Sequence, residues 1–289
     1  MIRFLCGLFI LAGFSTQLIA QQIKAYQIYN SRGKKVSFEK MSADLRKQNI
    51  ILFGELHNNP ISHWMQLELI KSLHKQGSIV LGAEMFERDD QKLLEAYLEG
   101  KIEEREFDSL AGLWINYETD YKPLIEYAKR NHLNFEATNI PRRFANMVYK
   151  EGFTSLDSLS ENEKKWIAPL PIAYNPELPG YKEMLNMMPG HSNENLPKAQ
   201  AIKDATMAYF IYQGFKKQQA SESTFLHFNG TYHSKNYEGI YWYLKEIDTS
   251  LKVATIHTVL QGDVMRLEKE HYGAADYILV VDEDMTTTY

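Results

Sequence analysis

The chain has 289 residues, 44% of them hydrophobic and 24% charged, which is enough to bury a normal core in one large domain or two small ones. Its 32 basic and 37 acidic side chains give a formal net charge of −5, and no long Lys/Arg run occurs, which excludes the usual basic nucleic-acid binder. The single cysteine, Cys6, lies in an apolar N-terminal run, so disulfides, a thiolate nucleophile and Cys-based metal sites are excluded from the rest of the chain.

Met1-Ile2-Arg3 is a short positive segment, Phe4 to Phe14 is almost wholly apolar, and Leu18-Ile19-Ala20 ends on a small residue. This is the pattern of a secretory signal, and its apolar run is too short to span a membrane, which takes about 20 residues. Cleavage is expected near Ala20, leaving residues 21–289 as one α/β domain. No cysteine stands at the cleavage point, so an exported protein without a lipid anchor is expected, periplasmic in a cell with two membranes.

Beyond the leader, apolar β-rich runs alternate with helical patterns. Asn49 to Phe53, Ser78 to Ala83, Leu133 to Thr138, Thr224 to Phe228, Lys252 to Val259 and Tyr277 to Val281 are near-continuous apolar runs, which suits strands buried on both faces of a parallel sheet. Pro60 fits the first position of a helix capped by Asn58 or Asn59, with Trp64, Leu67, Ile70 and Leu73 at helical spacing. Further helices are predicted over Asp120 to Arg130, Pro141 to Lys150 and Ser234 to Lys245. The order implies an α/β fold with a mainly parallel sheet flanked by helices, joined by right-handed crossovers.

Residues 152–220 break this rhythm with six prolines and frequent aromatics. Ser160-Glu161-Asn162-Glu163 reads as a capping box, and a long helix is predicted from about Leu196 to Lys217. The segment is read as an inserted helical lid. Asp282 to Tyr289 is read as a frayed end.

In open parallel sheets ligands bind beyond the carboxyl ends of the strands. There the sequence places Gly54-Glu55-Leu56-His57, then Glu84-Met85-Phe86-Glu87-Arg88, then Asn139 with Arg142 and Arg143, then Asn229-Gly230-Thr231-Tyr232-His233, and finally the neighbourhood of His257. Glu55 and His57 can face one cleft, with His63 one turn into the helix, and a carboxylate beside an imidazole suits metal binding or proton transfer. A capped loop with a surface histidine is the bland alternative. Glu84 follows an apolar strand and needs a partner, with Arg88, Arg142 or a metal as candidates. His233 is expected at a helix N-terminus, neutral and ready for a metal, or else as an exposed loop histidine. On the long helix Gln200, Asp204, Met207 and Ile211 share a face, which reads as contact with the site or as a buried hydrogen-bonded pair. Tyr174, Tyr181, Tyr209 and Tyr212 gather in or near the lid. A tyrosine phenolate can ligate ferric haem, although most tyrosines only pack. Signatures of serine hydrolases, P-loop NTPases and dinucleotide enzymes are absent.

Taken together, Gly54 to His63, Glu84 to Arg88 with Gln91, Asn139 to Arg142, Ala201 to Ala208 and Asn229 to His233 resemble the ordered motifs of the ChaN-like haem-binding proteins of the Tiki/TraB superfamily. The final turn departs from the family's usual Gly-x-Gly-His, and the chain lacks the cysteine of lipoprotein relatives. The resemblance implies an exported haem-binding protein of haem or iron acquisition, with Tyr174, Tyr181, Arg142 and Asp204 as cofactor-binding residues. It implies a homodimer enclosing stacked haems, and outer-membrane haem or iron uptake proteins as partners. It also implies an alternative, a metal-dependent hydrolase in which Glu55, His57, Glu84 and His233 hold a divalent ion and activate water. A third reading is a binding protein whose strand-end polar groups merely cap helices.

Overall fold

The computed structural model describes residues 23–186, 193–217 and 223–289; the expected signal segment, Cys6 and the cleavage point near Ala20 lie outside the described residues. Seven strands form one sheet: β1 (Tyr26–Asn30), β2 (Ile50–Glu55), β3 (Ile79–Glu87), β4 (Phe135–Asn139), β5 (Thr224–Gly230), β6 (Val253–Gln261) and β7 (Tyr277–Asp282). Their order is β1-β7-β6-β2-β5-β3-β4, and every neighbouring pair is parallel except β1 against β7. The six apolar runs became the six parallel strands. The half-buried edge strand β1 has no such run and was not anticipated.

Nine helices are described: α1 (Phe38–Leu45), α2 (Pro60–Gln76), α3 (Gln91–Leu98), α4 (Glu104–Leu110), α5 (Lys122–Arg130), α6 (Arg142–Glu151), α7 (Pro179–Asn186), α8 (Leu196–Lys216) and α9 (Ile240–Ile247). Among the described residues no helix is long and apolar enough to cross a membrane. The period-2 alternation of β2 divides the core. Ile51 and Phe53 pack with Met65, Leu69 and Leu73 of α2 and with Leu124 of α5. Ile50 and Leu52 pack on the other face with Ala201, Ala208 and Ile211 of α8 and with Leu244 of α9.

Helix α8 runs against the direction of the strands. Asp204, in its first half, reaches the turn beyond the carboxyl end of β5, where it meets His233. Gly214, near its end, lies against Phe225 at the amino end of the same strand, where a Cβ would stand 2.6 Å from the ring. Within the expected lid, α8 is thus a covering layer of the sheet. The capping box forms as read, Ser160 N–H donating to Glu163 at 2.9 Å, but it opens only the 3-10 turn Glu163–Trp166. The predicted helix from Ser234 starts six residues later, at Ile240. Asn236 and Tyr237 adopt positive φ of 58° and 60°, which no helix accommodates. The chain end is tied down as well, with Thr288 N–H donating to the Asn58 carbonyl at 3.0 Å and its hydroxyl to Asp120 at 2.8 Å.

Candidate functional site

Strands β2, β3 and β5 are neighbours at the sheet centre, so their carboxyl ends bring Glu55, Glu84 and Gly230 to one rim. Asn59 caps α2 by accepting from Ser62 N–H at 3.0 Å, which fixes the sharp turn that carries His57. His57 Nδ1 lies 2.9 Å from Glu55 Oε1. The same oxygen accepts from the Tyr121 hydroxyl at 2.7 Å, and Glu55 Oε2 accepts from Gln66 Nε2 at 2.5 Å. His63 does point back, its Nε2 lying 3.0 Å from the His57 carbonyl, and Asn116 donates to that carbonyl at 2.8 Å. On the far side of Gly230, Glu84 Oε2 accepts the Gly230 N–H at 2.7 Å and Oε1 lies 3.0 Å from His233 Nε2. His233 Nδ1 is 2.5 Å from Asp204 Oδ1, and Asp204 Oδ2 accepts from the Tyr181 hydroxyl at 3.0 Å. The side-chain amide of Gln200 completes this group, 2.8 Å from His233 Nδ1.

Gly230 joins the two halves. A Cβ there would stand 2.6 Å from His57 Nε2 and 3.6 Å from Glu84 Oε2, so the imidazole of His57 can lie over the turn only because the residue is glycine. His57 is the most open member, with 34% of its side chain exposed, and its ring meets Trp114 edge-on at 4.9 Å.

The charges follow from these contacts. Burial alone would discharge His233, but the carboxylates of Glu84 and Asp204 push it up to about 10. Burial opposes charge on Glu84, yet the field and hydrogen bond of His233, with His57 and the Gly230 N–H, hold it well below the usual carboxylate range. Asp204 goes the other way, raised by burial in spite of His233 and Tyr181. The two flanking carboxylates favour the charged form of His233 over the expected neutral one, and it ends the 3-10 turn Thr231–His233 instead of starting an α-helix. His57 is raised as well, burial being outweighed by the Glu55 bond and by Glu84, and Glu55 is lowered by His57, His63 and Tyr121 against its own burial. Two other histidines, His227 within β5 and His257 within β6, are pushed down to about 4 by burial.

Of the expected partners of Glu84, Arg88 is engaged elsewhere, donating to Glu136 at 2.7 Å and lying 4.1 Å over the Phe210 ring. Arg142 is exposed at the first position of α6. The shared face of α8 does deliver Gln200 and Asp204 to His233. Glu55, His57, Glu84 and His233 are brought together, but already paired, with both ring nitrogens of His233 turned to carboxylates. Sequence reasoning missed Tyr121, which reaches Glu55 from the π-helical turn Tyr117–Tyr121. It also missed Gln66, which a polar residue one turn past His63 on the buried face of α2 could have signalled.

A second feature lies on the outer flank of α8. Ala168, Pro171, Ile172, Tyr209, Tyr212 and Ile247 are among the residues lining an open groove of about 420 Å³. Tyr209 and Tyr212, half-buried there, have hydroxyls without a hydrogen-bond partner among the described residues. Tyr174, beside the groove residue Ala173, likewise has no hydroxyl partner and stacks on Tyr181 at 5.8 Å. Tyr181 is only 4% exposed, and its hydroxyl is committed to Asp204. Arg142 does not line the groove; the cation beside it is Lys216, whose Nζ is 5.9 Å from the Tyr212 ring.

Comparison with known proteins bears on both features. The sequence profile of the family described as "Haem-binding uptake, Tiki superfamily, ChaN" matches residues 41–244. The fold is similar to that in a structure of cofacial heme binding to ChaN of Campylobacter jejuni, with a TM-score of 0.66, 19% identity, and coverage of 89% of this chain and 97% of that one. It is also similar to the type III effector HopBA1, with a TM-score of 0.53, 11% identity, and coverage of 86% and 94%. At these identities the likeness is one of fold. A curated relative, the chloroplastic Protein RETICULATA-RELATED 5 of Arabidopsis thaliana, is 26% identical over 58% of this chain, and the match spans only 25% of that relative's length.

Proposed function

Because the chain belongs to the haem-binding uptake, Tiki superfamily, ChaN family, we propose that it binds haem in the groove beside α8 and serves, once exported, in haem or iron acquisition. The observation that carries this reading is an apolar groove of about 420 Å³ in which Tyr209 and Tyr212 hold unpartnered hydroxyls. That volume is within the ordinary range for small-molecule sites, about 300–1,000 Å³, and apolar walls with few polar groups are what such sites have. Haem requires a large apolar slot, one axial ligand and a cation for its propionates. Tyr209 or Tyr212 would supply the ligand, with Tyr174 as a third candidate, and Lys216 the cation. When bound, haem supplies a ferric iron that takes a phenolate oxygen. The chain's own residues present that oxygen, exclude water with Ala168, Pro171, Ile172 and Ile247, and leave the outer face of the groove open, which is compatible with a second copy closing over it.

Tyr181 and Asp204 act behind the wall, through the Tyr181–Asp204 bond, rather than on the cofactor. The alternative, a divalent ion held by Glu55, His57, Glu84 and His233, is the weaker reading. An ion there would first have to break the His233 contacts with Glu84 and Asp204, at 3.0 and 2.5 Å. Titration of the purified protein with ferric haem is the test. A saturable Soret shift at micromolar haem is expected, and a flat difference spectrum rejects the proposal.

A further inference from the structure

We propose that the chain carries a separate site for one transition-metal ion of the zinc class, formed by His257, His271, Glu268 and Glu270 behind the turn that holds His233. His257 lies on β6, opposite Gly54 of β2 in the parallel register, with only 8% of its surface exposed. Its Nδ1 is hydrogen-bonded to the Thr231 hydroxyl. With Nδ1 donating to that oxygen, the lone pair is on Nε2, which is how a metal-bound histidine is oriented by the group behind it. Among the described residues Nε2 has no hydrogen-bond partner, and it is not one of the buried orphan atoms, so it opens onto the neighbouring space.

The ring neighbouring His257 is that of His271, whose centroid is 6.1 Å away in an edge-on arrangement. Two imidazoles on one tetrahedral ion, with metal–nitrogen distances of about 2.0–2.1 Å, have ring centroids about 5 Å apart. A shift of about 1 Å brings the pair to that spacing, and His271 ends the short turn Lys269–His271. Donor atoms of Glu268, Glu270 and His271 all lie within 4.8 Å of one another, and Glu270 Oε1 is 3.8 Å from His271 Nε2, so these three form the outer part of the site and His257 joins them through His271. Two imidazoles and two carboxylates match the nitrogen and oxygen donors that zinc accepts, and their charge matches a divalent cation. The opposing charge nearby is Lys235, which is paired with Glu183 at 3.2 Å. Thr231 separates this site from Gly54, and none of Glu55, His57, Glu84 or His233 belongs to it. An ion there would tie the 268–271 turn to β6 and, through Thr231, to the turn of His233.

Equilibrium dialysis of the full chain against zinc chloride at micromolar free metal tests this. His257→Ala and His271→Ala should each remove one equivalent of bound zinc. Glu270→Gln, at a side chain 75% exposed and harmless to the fold, should weaken that equivalent, and Thr231→Ala should weaken it about tenfold through the ring it orients. His57→Ala and Glu84→Gln should leave it in place. No saturable zinc on the unaltered chain, or an equivalent that survives His271→Ala and disappears in His57→Ala, overturns the proposal.

Discussion

The rim cluster and the α8 groove sit on opposite sides of one helix turn, Asp204 facing the first and Ala205 the second, yet they treat their polar atoms in opposite ways. In the cluster the imidazole of His233 and the carboxyl groups of Glu55, Glu84 and Asp204 are all bonded to one another or to Tyr121, Gln66, Gly230 and Tyr181. In the groove the phenols of Tyr209 and Tyr212 are bonded to nothing among the described residues. Buried charge must be neutralised within the protein, because an uncompensated ion in the interior is very costly. A ligand site holds donors in reserve along an apolar wall. A dense polar cluster at strand ends therefore speaks first for a self-satisfied network, and the quieter surface beside it is the better place for a cofactor.

The sharpest way to break this contrast is to unbalance the cluster. His233→Ala leaves Glu84 and Asp204 facing each other without a cation, and should cost about 3–5 kcal/mol in urea unfolding while leaving haem affinity close to that of the unaltered protein. The same network sets a pH dependence. His233 titrates at about 10 in the fold against an ordinary 6.5, so its stabilising proton counts in full below about pH 6.5 and is lost as pH rises toward 10. Glu84, held low, contributes above its ordinary 4.5 and loses that contribution as pH falls. Unfolding midpoints followed over pH should be highest between these limits, and His233→Gln should flatten the alkaline limb.

Smaller effects sharpen the comparison. Gly230→Ala puts a methyl group where His57 Nε2 now is, and should cost about 1–3 kcal/mol and shift the His57 ring resonances by NMR. On the groove side, Tyr209→Phe and Tyr212→Phe should each change stability by no more than about 0.5 kcal/mol. One of the two should abolish the phenolate-to-iron band of the haem complex. If both keep it, the ligand is Tyr174 or lies outside the groove.

The sequence made the rim legible because strand-end rules are local. An apolar run followed by Gly54-Glu55-Leu56-His57 or by Asn229-Gly230 says where its polar residues must emerge, and the shared face of α8 placed Gln200 and Asp204 at His233. Pairing was not legible. Arg88 was one of three candidate partners of Glu84, with Arg142 and a metal, but it pairs with Glu136, and His233 reaches Glu84 instead. Nor did counting tyrosines separate Tyr181, which is committed to Asp204, from Tyr209 and Tyr212. Only the packing of the proline-rich segment against α8 and α9 shows which hydroxyls remain unengaged.

The most direct measurement is a paired ferric-haem titration of Ala173→Trp, which fills the groove from an exposed position, and His57→Ala, which alters the most open member of the rim cluster. The account predicts that the tryptophan variant loses the saturable Soret shift and the alanine variant keeps it at near-native affinity. Haem binding that survives Ala173→Trp and disappears with His57→Ala would contradict it.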